Sequence, residues 1–206
     1  MKKFKQARRV LKPTLKREIA ALKSIANYKK PERVVVHLGN VGDISSSGFA
    51  AKTDSYSSRF PETKFIGIDS SFLSLKSKRN NWQQMKTTFN AGLRKLKDNS
   101  VDIISSELAL GYYDSKTTET TNAGQGNFKR YTKTTINTAF KKLKPNGKLQ
   151  LAVTGSVVLN VLEALKKAGF QEKKAVMYEL SGSELNRTFW FKEHKKIPIY
   201  QIIVVK

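Results

Sequence analysis

From residue 33 onward the sequence alternates between short apolar runs and longer stretches of helical spacing, and this alternation is its strongest constraint. Arg33–Leu38 (RVVVHL) is β-branched and closed by Gly39, the pattern of a strand buried on both faces. Lys64–Ile68 (KFIGI) is a second strand, ended by Asp69. Gln84–Phe89 is a weaker third, Val101–Ser105 (VDIIS) a fourth and Lys148–Thr154 (KLQLAVT) a fifth. Between them lie helical stretches: an irregular, Ser-rich 43–59; Ser70–Asn80 with Ser70 as N-cap; a basic amphipathic Asn127–Leu143; and Ser156–Ala168, closed by Gly169. Lys144-Pro145-Asn146-Gly147 stops the third of these, and residues 106–127, rich in Ser, Thr, Gly and Asn, read as a loop or lid.

Strands that alternate with helices are joined by right-handed crossovers, so the expected fold is α/β, a doubly wound and mostly parallel sheet with helices on both faces. The ending departs from the simplest version. Phe170–Leu180 and Ile199–Val205 are separated by a polar, aromatic insert without a crossover helix, which predicts an antiparallel final hairpin and seven strands in all. No internal repeat or second domain is apparent. The expected organisation is one domain over residues 31–206, preceded by a basic helical extension over residues 1–30.

That extension concentrates the charge. The chain has 39 Lys and Arg against 16 Asp and Glu, a net +23. Residues 1–33 hold 12 basic and 2 acidic residues, so +10 falls on about a sixth of the chain. Leu15, Ile19, Leu22, Ile25 and Ala26 recur at helical spacing behind Pro13, which predicts a helix with one apolar stripe and a cationic back. Lys5, Arg8, Arg9, Lys12, Lys16 and Arg17 are its candidates for phosphate contact, with nucleic acid as the expected partner. A merely solvated face is the alternative.

Two clusters interleave aromatics with cations: Phe128-Lys129-Arg130-Tyr131, and Arg187-Thr188-Phe189-Trp190-Phe191-Lys192. They suit single-stranded or looped RNA, where bases stack and phosphates pair, and Lys129 and Arg130 join the candidate contacts. Core aromatics beside solvated charges produce the same pattern. The absence of Cys excludes a disulfide scaffold, thiolate zinc and iron–sulfur sites, and a cysteine nucleophile. With two His, no metal is expected, and His194 reads as a surface residue. No run of about 18 apolar residues and no apolar signal region occur, so a cytoplasmic protein is expected.

In a doubly wound sheet, ligands bind at the carboxyl ends of the strands, where strand order reverses. The first strand leads there into His37-Leu38-Gly39-Asn40-Val41-Gly42-Asp43, whose glycines let backbone approach a ligand closely. The second ends at Asp69, 30 residues beyond Gly39 and thus one βαβ unit away. A carboxylate there can accept two hydrogen bonds from ribose hydroxyls, or simply cap the next helix. Asn90-Ala91, after the third strand, can pair with an adenine edge or form a plain turn. Tyr112 and Lys116 reproduce a Y-x-x-x-K spacing, but in a Ser/Thr-rich stretch rather than on a helix face beside a nicotinamide, and we read it as chance.

The order of these pieces resembles the class I S-adenosylmethionine-dependent methyltransferases over about residues 31–206. The resemblance rests on the strand–glycine turn–strand–Asp order, Phe89-Asn90-Ala91, Asn99-Ser100-Val101-Asp102-Ile103-Ile104, and Leu143-Lys144-Pro145-Asn146-Gly147-Lys148-Leu149. It implies a seven-stranded sheet with an antiparallel last strand, and S-adenosylmethionine as cofactor. Gly39 and Gly42 would then face the methionine part of the cofactor, Asp69 its ribose, and Asn90 and Ala91 its adenine. Ser106 and Glu107 would face the methyl group and the acceptor. Glu107 is the candidate general base, with Tyr112 and Tyr113 as orienters or stacking platforms; a plain loop carboxylate is the alternative for Glu107.

The family's glycine turn usually reads acidic-x-G-x-G-x-G. Here His37 stands at the acidic position and Val41 at a glycine, so Asp43 is the candidate to supply the missing charge. The N-P-P-Y or D-P-P-Y pattern of exocyclic-amine methyltransferases is absent after the fourth strand. The resulting expectation is a methyltransferase acting on RNA. The alternatives are an inactive, nucleic-acid-binding relative, and an enzyme acting on a small molecule or a protein.

Overall fold

A computed structural model describes residues 33–39, 57–69, 80–111, 125–180 and 198–206. The expected basic N-terminal helix and the helices over 43–59 and Ser70–Asn80 lie almost wholly outside these residues. Seven strands form one sheet: β1 (Arg33–Leu38), β2 (Thr63–Asp69), β3 (Trp82–Lys86), β4 (Val101–Gly111), β5 (Leu143–Thr154), β6 (Ala175–Glu179) and β7 (Ile199–Val205). Their order is β3-β2-β1-β4-β5-β7-β6. β1 pairs in parallel with β2 and β4, β2 with β3, and β4 with β5. β7 runs antiparallel to both β5 and β6, so the predicted closing hairpin is present.

The central strands are buried because helices cover them, which explains their β-branched runs. Three described helices follow the sheet: α1 (Phe89–Arg94), α2 (Gln125–Lys142) and α3 (Val158–Ala168). Leu93 of α1, Ile136 and Ala139 of α2, and Val161, Ala164 and Leu165 of α3 join one apolar core with Val36, Leu38, Ile66, Ile68, Ile104, Leu149 and Leu151 of the sheet. Each such large side chain, fully buried, contributes about 1.5–3 kcal/mol. Phe140 of α2 meets Phe170 edge-to-face, with centroids 4.9 Å apart. Gly169 ends α3 in the left-handed region at φ 101°, as its position after the helical pattern requires.

Four strands differ in their bounds from the sequence expectation. β3 begins at Trp82 and ends at Lys86, because Thr88 takes an extended conformation, accepts the Ala91 N–H on its hydroxyl, and starts a helix at Phe89. The stretch read as strand through Phe89 is therefore a cap and a first turn. β4 does not stop at Ser105: Ser106–Gly111, expected to open a loop, continues the strand. Its register against β5 shifts between Glu107 and Gly111, a bulge held by the Leu110 N–H donating to Ser106 Oγ at 3.0 Å. Lys144-Pro145-Asn146-Gly147 is likewise no stop before a later strand. β5 starts at Leu143, and these residues form an irregularity in it with Asn146 at φ 64°. The β6 strand is also shorter than expected, since 172–174 form a 3-10 turn.

Lys144 and Lys206 secure the opposite edge of the sheet. Lys144 Nζ holds both Asp102 oxygens at 2.8 Å, while Asp102 also accepts the Val34 N–H at 2.7 Å. Lys206 Nζ donates to Asn99 Oδ1 and the Leu143 carbonyl and lies over the Phe140 ring.

Candidate functional site

Strand order reverses at β1, whose chain continues to β2 on one side while β4 lies on the other. The crevice at the carboxyl ends of these strands is where an α/β sheet places a ligand. Leu38, at the end of β1, pairs with Ile68 of β2 and with Ser106 of β4. The sequence-predicted Gly39, Asp69 and Ser106 therefore converge on one edge.

Gly39 turns there with φ 83° and donates its N–H to the Ile68 carbonyl at 3.0 Å, tying the ends of β1 and β2 together. A Cβ at this position would lie 2.2 Å from the Ala109 Cβ and 3.7 Å from the Phe89 ring. Both the dihedral and the space thus demand glycine. The β4 bulge creates this crowding, since it carries Ala109 back over the end of β1. Ser106 is buried, and its hydroxyl is engaged by Leu110, so its first role is to shape the bulge.

Asp69 is half-buried at the end of β2, and its carbonyl accepts the Thr87 N–H at 2.8 Å. Beside it, Phe89 opens α1 and donates its N–H to the Tyr131 hydroxyl at 3.3 Å. The Phe89 and Tyr131 rings are 6.2 Å apart and tilted at 44°. Burial raises the Tyr131 pKa above the ordinary phenol value, and the Asp69 charge adds to the rise. Tyr131 thus belongs to the Asp69 corner of the site. The sequence offered it only as part of a basic–aromatic cluster, and nothing short of the α1–α2 packing could have placed it there. The Asn90 side-chain amide lies 2.7 Å from the Thr138 hydroxyl, which also reaches the Thr134 carbonyl at 2.9 Å, so the amide is tied to α2. Ala91 lies exposed in the first turn of α1.

His37 is buried in β1, with Nδ1 2.7 Å from Ser105 Oγ on β4. Glu107 is exposed on β4, in register with Ala152. Lys129 and Arg130 lie on α2, Arg130 exposed and one residue before Tyr131. Gly42, Asp43, Tyr112 and the six N-terminal cations, Lys5 to Arg17, lie outside the described residues. A half-buried carboxylate, a side-chain-free turn and an aromatic ring can together hold a diol and a flat heterocycle. The exposed Glu107, across the switch point, can take a proton.

No protein-family model matches the sequence, and no curated protein matches it. Solved structures do match it. A phosphoethanolamine N-methyltransferase of Haemonchus contortus, in complex with phosphomonomethylethanolamine and S-adenosylhomocysteine, is similar over 93% of this chain, with TM-score 0.56 and 14% identity. The chain spans only 52% of that enzyme. The antibiotic-resistance methyltransferase Kmr is similar over 87% of this chain and 90% of its own, with TM-score 0.53 and 12% identity. The 16S rRNA (adenine(1408)-N(1))-methyltransferase of Catenulisporales acidiphilia is similar over 85% of this chain and 88% of its own, with TM-score 0.50 and 12% identity. With the strand order and closing antiparallel β7 described above, these similarities establish that the chain has the fold of the S-adenosylmethionine-dependent class I methyltransferases.

Proposed function

We propose that the protein is an S-adenosylmethionine-dependent methyltransferase that acts on RNA. The observation that carries this reading is the meeting of Asp69 with the Gly39 turn at the carboxyl edge of the sheet, through the Gly39–Ile68 hydrogen bond. The donor set fits the nucleoside half of the cofactor. In this reading Asp69 accepts from two ribose hydroxyls. Asn90, tied to α2 through Thr138, offers its amide to an adenine edge. When bound, the cofactor supplies a methyl group on a sulfonium that a nucleophile displaces. Glu107, at the β4 bulge, takes the proton that an oxygen or nitrogen acceptor sheds. The resemblance in sequence assigns Gly42 and Asp43 to the methionine end and Tyr112 to the acceptor, all three outside the described residues.

The RNA part of the reading is supported by the net charge of +23 and by the rRNA methyltransferase among the similar structures. Calorimetry with S-adenosylmethionine and S-adenosylhomocysteine tests the cofactor reading. The expected result is saturable heat for both; folded protein that shows none at millimolar ligand overturns it.

One observation favours a second reading, an inactive relative that only binds nucleic acid. His37 stands where the family has a carboxylate and is engaged with Ser105, while Ala109 crowds the Gly39 turn. The same calorimetry separates the two.

A further inference from the structure

Among the described cations some are paired and some are not. Four lysines are paired with carboxylates: Lys166 with Glu172, Lys167 with Glu163, Lys142 at the last residue of α2 with Asp98, and Lys144 with Asp102. Six others lie together along α1 and α2. Arg94, Lys95 and Lys97 at the end of α1, and Arg130, Lys133 and Lys141 of α2, are exposed and form no ion pair among the described residues.

The α2 set is ordered. At about 100° per residue, Arg130, Lys133 and Lys141 fall within a narrow stripe opposite buried Thr132, Thr135, Ile136 and Ala139. Thr134 and Asn137 occupy the same stripe, and the helix contains no acidic residue. Eleven residues at 1.5 Å each carry the stripe about 16 Å. One end lies at the candidate site, where Tyr131 touches Phe89. The other lies at the amino edge, where Asn99 N–H donates to the Lys141 carbonyl. At the site end the Tyr131 ring is 37% exposed, an aromatic face beside the first cation.

We infer that this stripe is a docking track for the phosphate backbone of single-stranded RNA, leading from the candidate site down α2 and flanked by the end of α1. Uncompensated charge fits a polyanion. The Asn137 amide between the cations can donate to phosphate and sugar oxygens, while the Thr134 hydroxyl donates to the Arg130 carbonyl, and the exposed ring at the mouth fits an unstacked base. The inference rests on the RNA reading of the site for its direction, and adds the surface that holds the substrate outside the site.

The test uses the full chain and a labelled mixed-sequence single-stranded RNA, with affinity measured across a salt series. The R130Q/K133Q/K141Q variant should lower the slope of log affinity against log salt by about 2, since each lost phosphate contact on a single strand is worth about 0.7. The K166Q/K167Q variant, which removes paired cations, should leave the slope near that of the parent. Equal slopes for the parent and the α2 variant overturn the track. So does binding to phosphatidylserine vesicles in the absence of any RNA binding. S-adenosylmethionine calorimetry on the same samples keeps the two readings apart. Cofactor binding with an unchanged RNA slope refutes the track alone. A reduced slope without cofactor binding refutes the enzyme reading and leaves the track standing.

Discussion

Gly39 and Ala109 form the tightest constraint at the scale of single residues. G39A adds a Cβ at positive φ and drives it into the Ala109 methyl, so it should cost about 2–3 kcal/mol in urea unfolding. G39A/A109G relieves the collision but not the dihedral and should recover part of that loss; a double variant no better than G39A would show that the contact is not the cause. Asp69 carries the chemical prediction. D69A should remove two hydrogen bonds to a charged acceptor and weaken S-adenosylmethionine by about 3 kcal/mol, or roughly 100-fold. Unchanged affinity in calorimetry would place the pocket elsewhere. Asp69 and Gly39 were legible in the sequence because each stands at the end of an apolar run. Tyr131 was not legible as a site residue, because its partner Phe89 is 42 residues away. Nor was the Asn90–Thr138 bond, which spans 48 residues.

At the scale of elements, caps and ion pairs decide the boundaries. T88A removes the hydroxyl that caps α1; the bond is long at 3.4 Å, so the loss should be about 0.5–1 kcal/mol in denaturant unfolding. The end of α2 offers a different case. Lys142 is nearly buried and donates to Asp98 and to the Leu96 carbonyl. D98A leaves that ammonium without its counter-charge, whereas K142M removes the buried charge itself; D98A should therefore lower the melting temperature more than K142M does. The Lys142 hydrogen bond, followed by its charge, holds the Asp98 pKa below 3.8. A carboxyl with a lowered folded pKa stabilises above its unfolded pKa, and that contribution disappears as pH falls through the folded value. Thermal melts from pH 6 down to about pH 3 should thus decline less steeply for D98N than for the parent. Strand runs such as RVVVHL announced themselves through β-branching. Ser106–Gly111 did not, because a bulged strand of small and polar residues carries the composition of a loop.

For the molecule as a whole, +23 on 206 residues means that like charges repel across the surface. Screening should relieve this, so the melting temperature should rise from low ionic strength to about 0.15 M salt. A fall over that range would indicate that attractive pairs outweigh the repulsion. Among the described residues no helix is long and apolar enough to cross a membrane.

The sequence by itself determined the α/β class, the closing hairpin, and the two residues that mark the switch-point edge. Those depend on local periodicity and on what glycine and aspartate do at the end of a strand. Only the tertiary structure decided where β4 and β5 truly begin and end, that Tyr131 packs against Phe89, and which lysines are neutralised. Hydrogen bonds, desolvation and ion pairs depend on which distant segments meet, and a linear pattern records the faces of the elements but not their partners.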